Sequence, residues 1–259
     1  MMKVKRATKK LVIVADDFGL AKEINEGILR ACREGFVTEF SLMLKSPSTQ
    51  HAVDIIKKCK LRDVGIHLLL VGFDDIKRMF RRSDYVELFK NKNYQEIQKL
   101  AELELRLFEK LIGKKPTHII PQYGIHGNLK LLDFLLGYAK KYDIPMRLPR
   151  TTLGEKFGEN YAAEIMLRRS GVRTTKYLFG HVLGSNLLRI EREFIDELAR
   201  VKGGESAEVL THPGYFDEEV LKLTSLNYER ARDLAMCLDK KFEEKILNLG
   251  YHLVSFSQI

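Results

Sequence analysis

The stretch Leu11-Val-Ile-Val-Ala-Asp16-Asp17-Phe18-Gly19 decides the fold, because two carboxylates and a glycine follow an apolar, mostly β-branched run. Such a run is typical of a buried parallel strand. In α/β proteins the ligand lies at the carboxyl ends of the strands. Asp16 and Asp17 are therefore predicted at that edge, where adjacent carboxylates repel unless a cation or a shared proton relieves them. The stretch alone also permits a simpler role, with one aspartate capping the next helix and the other solvated.

The rest of the chain alternates between strand and helix patterns. Further strands are predicted at 36–44, 64–71, 116–120, 145–150, 176–180, 207–211 and 251–256. Helices are predicted at 24–35, 52–56, 100–111, 129–139, 194–201 and, as one long helix, 227–249. Residues 72–94 lose this periodicity and are interpreted as a long loop or lid. The alternation predicts a parallel sheet in one barrel-like α/β domain covering residues 1–259.

Composition narrows the function classes. The 259 residues carry a formal net charge of +9, but Lys and Arg are mixed with Asp and Glu, so nucleic-acid binding is not predicted. No run approaches the roughly 18 apolar residues that a membrane span requires. The basic N-terminal segment precedes a short apolar run that Asp16 interrupts, which does not fit a signal peptide. Three widely spaced cysteines are typical of reduced thiols, so a cytoplasmic location is expected.

Polar side chains follow several of the predicted strands. Asp16 and Asp17 follow the first strand, His67 lies on the third, and His212 follows the penultimate one. Gln122 or His126 follows the strand at 116–120. Carboxylates and histidines from different strand ends suit a hydrolytic metal site. Taken singly, His67 also fits a core histidine bonded to backbone, and His118 is interpreted as structural.

Motifs along nearly the whole chain resemble one known family, the YdjC-like carbohydrate deacetylases. The matching stretches are Ala15-Asp-Asp-Phe-Gly-Leu20, Asn25-Glu-Gly-Ile28, Gly35-Phe-Val-Thr38, Ser41-Leu-Met43, Val64-Gly-Ile-His-Leu68, Gly113-Lys-Lys-Pro-Thr-His118, Arg147, Glu208-Val-Leu-Thr-His-Pro213, Tyr228-Glu-Arg-Ala-Arg232 and Gly250-Tyr251. The resemblance implies a deformed TIM-like (β/α) barrel with mostly parallel strands. It also implies removal of acetyl groups from N-acetylated mono- or oligosaccharides with the help of a divalent metal.

The resemblance assigns roles to individual residues. Asp17 and His67 are similar to two metal ligands of the family. Asp16 resembles the general base that activates water, and His212 resembles the acid that protonates the departing amine. Phe18, Tyr123 and Arg147 are expected to bind the substrate.

One segment departs from the family pattern. After Pro-Thr-His the family reads Asp-Ser-His-x-His-x-His, whereas this chain has Ile120, Gln122 at the ligand position and Gly124, and keeps only His126. An amide oxygen suits Mg²⁺ and replaces imidazole poorly on Zn²⁺, so Mg²⁺ is the expected cofactor. Three outcomes are open. Asp17, His67 and Gln122 hold a metal, or His126 substitutes for Gln122, or the metal is lost and a sugar-binding cleft remains.

These outcomes define the functional hypotheses. The first is a metal-dependent deacetylase acting on a small sugar substrate. The alternative is a non-catalytic sugar-binding or regulatory protein on the same fold, which the altered segment 120–124 favours. A third is another metal-dependent hydrolase acting on a different amide or on an ester. A homodimer is expected by analogy with the family.

Overall fold

The computed structural model describes residues 8–71, 87, 89, 91–150, 160–180 and 187–259. Its strands are β1 (Lys9–Phe18), β2 (Glu39–Met43), β3 (Val64–Leu68), β4 (Ile119–Pro121), β5 (Tyr177–Phe179), β6 (Ser206–Thr211) and β7 (Tyr251–Leu253). They form one curled parallel sheet in the order β4-β3-β2-β1-β6-β5, with β7 beside the beginning of β1. The predicted α/β barrel-like fold with parallel strands is confirmed.

Helices connect the strands. They are α1 (Lys22–Arg33), α2 (Thr49–Lys58), α3 (Tyr94–Ile112), α4 (Leu129–Tyr142), α5 (Tyr161–Ser170), α6 (Leu187–Ala199), α7 (Glu218–Leu223), α8 (Tyr228–Leu238) and α9 (Lys240–Asn248). Short 3₁₀ segments cover Gln122–Gly127 and Phe256–Gln258. Within the described ranges, no helix is both long enough and apolar enough to span a membrane.

Three sequence predictions are corrected. The helix predicted at 227–249 is two helices, because Asp239 has an extended backbone (ψ 106°) and its side chain caps α9 by accepting from the N–H groups of Lys241 and Phe242. Tyr228 is 76% exposed and does not share the buried face predicted for that helix. The strand predicted at 145–150 is reduced to a single bridge between Met146 and Ile119. The predicted loop at 72–94 lies mostly outside the described residues.

The central strand β1 separates two cores. Leu11, Ile13 and Ala15 belong to the large core between the sheet and the helices. Val12 and Val14 point to the opposite, inner face, where Ile120, Val254 and Phe256 complete a small second core. Because successive side chains of a strand alternate between faces, the same alternation carries Asp16 to the inner face above this small core.

A β-bulge at the end of β1 explains how two adjacent aspartates serve one site. Between Ala15 and Phe18 the pairing with β2 shifts by one residue, and Asp17 has a left-handed φ of 68°. The extra residue breaks the alternation of faces. Phe18 consequently returns to the large core, 4.7 Å from the Phe40 ring centre, and is 1% exposed.

Candidate active site

Asp16 is held by a buried arginine. Arg147 donates from Nη1 to Asp16 Oδ2 at 2.5 Å and from Nη2 to Oδ1 at 3.0 Å. Its Nε donates to Glu208 Oε1 at 2.5 Å. Burial alone would raise the pKa of Asp16, but Arg147 and then His67 hold it below its ordinary value. Asp16 is therefore a fixed, ionised carboxylate that can accept a proton.

Asp17 has a different arginine partner. Arg230, on α8 and 1% exposed, donates from Nη2 to Asp17 Oδ2 at 2.6 Å. Burial opposes ionisation of Asp17 as well, but Arg230, His212 and His67 bring its pKa well below the ordinary value. The other oxygen of Asp17, Oδ1, lies 3.7 Å from His67 Nε2.

His67 lies between the aspartates and Gln122. Its Nδ1 lies 3.0 Å from Ser41 Oγ, and that hydroxyl donates to Asp16 Oδ1 at 3.3 Å. Its Nε2 contacts Gln122 Oε1. The structure therefore brings together the three residues expected to hold a metal, which are Asp17, His67 and Gln122.

The turn after β4 positions Gln122. Tyr123 and Gly124 both have left-handed backbone conformations, with φ of 51° and 66°. Glycine adopts this conformation without strain, whereas a side chain at position 124 would be strained. Tyr123 is 45% exposed, and burial together with Asp17 raises the pKa of its hydroxyl. Its expected contact with substrate remains a prediction, as does that of Arg147.

His212 is half-buried in the turn that follows β6. Its backbone N–H donates to Asp233 Oδ2 at 2.9 Å. Burial lowers the pKa of the His212 imidazole, and the opposing effect of Asp17 does not restore the ordinary value. A lower pKa makes the protonated imidazole a stronger acid.

Two residues of helix α1, Gly27 and Asn25, support the loops around the site. A Cβ added to Gly27 would lie 2.5 Å from Gly214 Cα, so α1 packs directly on the turn that follows His212. Asn25 Oδ1 accepts from Gly19 N–H at 2.6 Å, and its Nδ2 donates to Ser48 O at 3.2 Å. These contacts connect the loops after β1, β2 and β6.

A buried carboxylate holds the turn after β3. Glu104, on α3 and fully buried, accepts from the N–H groups of Leu69 at 2.7 Å and Leu70 at 2.6 Å. Lys45 Nζ lies 3.8 Å away. Burial raises the pKa of Glu104 to about 7 in spite of these contacts. The segment that continues from His67 is thereby fixed to a helix.

Two residues from the predicted site lie elsewhere. The Phe18 side chain lies in the large core, so the expectation that it contacts substrate is corrected; the bulge at Asp17 is the reason. His126 is fully buried, and its Nε2 is within 2.9 Å of the Arg147 carbonyl oxygen. The His126 imidazole therefore contacts the backbone of Arg147 and does not take the place of Gln122 beside Asp17. His118 is fully buried against Phe256, as its structural interpretation implied.

The side chains beside Asp17 limit the kind of cation that the site could hold. In the described part of the chain, no group of three or more His, Cys, Asp or Glu side chains is arranged to hold a metal ion. A cation site here therefore depends on the Gln122 amide oxygen as its third donor. One carboxylate oxygen, one imidazole nitrogen and one amide oxygen form a set compatible with a hard divalent ion.

Sequence reasoning gave no role to Arg230, Glu208, Ser41 or Asn25. Arg230, Glu208 and Ser41 form the ion pairs and hydrogen bonds around the two aspartates. All four lie in stretches that match the family pattern, which was the one signal in the sequence. Their partners could not be identified, because each contact joins distant parts of the chain.

Comparisons with known proteins point to one family. A family model described as YdjC-like protein matches residues 10–248. A carbohydrate deacetylase of Clostridium beijerinckii is 29% identical over 263 residues, covering 96% of this chain and 100% of that protein. A chitooligosaccharide deacetylase of Yersinia enterocolitica is 26% identical over 265 residues, covering 96% and 98%.

A solved structure shares the fold. The crystal structure of a "putative cellobiose-phosphate cleavage protein" from Enterococcus faecalis V583 superposes with a TM-score of 0.79 at 23% identity. The match covers 97% of this chain and 99% of that one. The two chains therefore share one architecture.

Proposed function

The chain belongs to the YdjC-like protein family, and on that premise we propose that it is a carbohydrate deacetylase acting on an N-acetylated mono- or oligosaccharide. Two relatives that match this chain over nearly their full lengths support this proposal, because they are named carbohydrate deacetylase and chitooligosaccharide deacetylase. The observation that carries it is the meeting of Asp16, Asp17, His67 and Gln122 at one edge of the sheet.

The proposal includes a divalent cation held by Asp17, His67 and Gln122. In the tautomer with its proton on Nδ1, His67 donates to Ser41, which in turn donates to Asp16. The lone pair on Nε2 then faces the oxygens of Asp17 and Gln122, and a cation stabilises such an arrangement. Two oxygens and one nitrogen favour Mg²⁺ or Mn²⁺ over Zn²⁺. When bound, the cation supplies positive charge to the amide carbonyl and acidifies a water molecule.

The protein's own groups move the protons. Asp16, kept ionised by Arg147, accepts the proton of the water that attacks the amide carbonyl. His212 donates a proton to the amide nitrogen as the C–N bond breaks, because the amine is a poor leaving group without it. Acetate and the free amino sugar result, and transfer of the proton from Asp16 to His212 through solvent restores both groups for the next turnover.

A sugar-binding protein without catalysis is the second candidate. Arg230 donates to Asp17 at 2.6 Å, so a guanidinium already neutralises one carboxylate that would serve as a ligand. This ion pair favours a site in which Arg230 balances the charge of Asp17 and no cation is needed. Its distinguishing property would be sugar binding that is unaffected by chelators.

Acetate release tests the first candidate directly. The substrates are N-acetylglucosamine and its short β-1,4 oligomers, with protein stripped of metal and then resupplied with Mg²⁺, Mn²⁺, Co²⁺ or Zn²⁺. We expect metal-dependent release, greatest with Mg²⁺ or Mn²⁺. Folded protein that releases no acetate with any metal would favour the binding protein.

The variant Asp16→Asn tests the assigned base. It should lower turnover by at least about 100-fold, because a positioned base contributes on the order of 10²–10⁴. Metal content and folding should be retained, since Asp16 is not one of the proposed ligands. A variant that kept most of its activity would show that another group is the base.

A further inference from the structure

Two exposed aromatic rings meet on segments that lead out of the candidate active site. The ring centres of Phe216 and Tyr228 lie 5.2 Å apart, with the ring planes inclined at 63°. Phe216 is 37% exposed, and Tyr228 is 76% exposed. Edge-to-face contact holds the rings together, and their exposed fractions leave part of the pair open to solvent.

Both rings lie on segments that form the site. Phe216 follows His212 by four residues, so at about 3.8 Å per residue its Cα lies at most about 15 Å from that of His212. Tyr228 precedes Arg230 by two residues, and Arg230 reaches Asp17. The two segments are joined by a hydrogen bond from Gly214 N–H to Arg230 O at 3.2 Å.

The surroundings of the rings indicate what binds there. Polar residues flank both positions in the sequence: Asp217 and Glu218 follow Phe216, and Asn227 and Glu229 stand on either side of Tyr228. Two rings in a polar setting are too small for a stable protein interface, which buries about 800 Å² on each partner. A pyranose ring fits better, since its C–H face packs on an aromatic ring while its hydroxyl groups meet polar neighbours.

We propose that Phe216 and Tyr228 form a stacking platform for a sugar ring adjacent to the one that carries the scissile acetamido group. This inference rests on the proposed deacetylase function and narrows the substrate to oligosaccharides. The platform binds a neighbouring ring of the same chain, so it favours oligomers over the monosaccharide.

Substrate preference is the first test. The ratio of kcat/KM for tri-N-acetylchitotriose to that for N-acetylglucosamine should fall about two- to tenfold in Tyr228→Ala and in Phe216→Ala, the range of one aromatic contact. Tyr228→Phe keeps the ring and should keep the ratio. Leu103→Ala, which removes a side chain 52% exposed on α3, is the control and should behave as wild type. An unchanged ratio in both alanine variants would overturn the platform.

Binding without turnover separates this inference from the proposed activity. Saturation-transfer NMR titration gives the Kd of tri-N-acetylchitotriose for the wild type and the same variants. If the wild type releases no acetate yet Tyr228→Ala weakens binding two- to tenfold, the platform stands and the deacetylase proposal fails. Equal Kd values for the wild type and Tyr228→Ala, or no binding by the wild type, would overturn the platform.

Discussion

Arg147 binds both oxygens of Asp16, at 2.5 and 3.0 Å, while its third donor contacts Glu208. The planar guanidinium fixes the direction of the carboxylate as well as its charge. Lysine retains the charge but offers a flexible point donor. A substitution of Arg147 by lysine can therefore change the orientation of Asp16 without removing the positive charge that keeps it ionised.

Arg147→Lys should therefore lower kcat at least tenfold while most of the stability is retained. Arg147→Ala should also destabilise the fold by about 3–5 kcal/mol, because two buried carboxylates lose their partner. Acetate release and urea unfolding measure the two effects. Arg106→Ala, which breaks the largely exposed pair with Glu102, is the control and should change neither. A fully active Arg147→Lys would show that the orientation of Asp16 does not limit turnover.

Glu104 gives stability a pH dependence of defined sign. Its folded pKa of about 7 exceeds the ordinary value of 4.5, so the native state keeps a proton that the unfolded chain has lost between these values. The corresponding stability is present below about pH 4.5 and is lost as pH rises through 7, amounting to about 3 kcal/mol. Glu104→Gln should flatten the decline in unfolding free energy between pH 5 and 8.

Urea unfolding across this pH range checks the Glu104 prediction. Glu102→Gln, on the same helix but partly exposed, is the matched control and should keep the wild-type slope. If Glu104→Gln also kept the wild-type slope, the proton would not reside on Glu104 in the native state.

Two glycines test the packing of α1 on the turn after His212. Gly27→Ala would place a Cβ 2.5 Å from Gly214 Cα and 2.8 Å from Tyr215 N, so backbone must shift. We expect a loss of about 1–3 kcal/mol and reduced activity, because the turn carries His212. Gly137→Ala in α4 meets open space and should stabilise by up to about 1 kcal/mol. Thermal unfolding measures both variants, and equal changes in Tm for Gly27→Ala and Gly137→Ala would contradict the packing argument.

Gln122→His should change which metal the protein prefers. Imidazole is the better ligand for Zn²⁺, so the variant should bind Zn²⁺ at least tenfold more tightly than the wild type. Calorimetric titration of metal-free protein measures the affinity. Gln50→His, on α2 and away from the site, controls for an added histidine. No gain in Zn²⁺ affinity would mean that position 122 does not face the cation.

The sequence predicts the parallel sheet well, because β1 and its successors carry clear periodicity. It also predicts that Asp16, Asp17, His67 and Gln122 meet, since the carboxyl ends of parallel strands share an edge. The bulge that turns Phe18 away is not predictable, because it depends on the register between β1 and β2. Nor does any local pattern indicate that Arg230 reaches Asp17.

Helix boundaries show the same limit. Apolar residues continue at helical spacing through 227–249, so periodicity alone predicts one helix. The break depends on the Asp239 side chain capping α9. Competition between a cap and an uninterrupted helix is decided by tertiary packing, which sequence spacing does not contain.

The pairing of β7 with the first residues of β1 has a consequence for biosynthesis. Lys9 of β1 lies opposite Tyr251 of β7. The ribosome therefore makes the start of β1 early, whereas β7 leaves the ribosome after every other described strand. Until then that edge can pair wrongly with other chains. We expect nascent chains stalled with residues through Gly250 exposed to be digested by protease. Chains exposed through Gln258 should resist, and equal resistance of the shorter chains would show that the sheet is stable without its final strand.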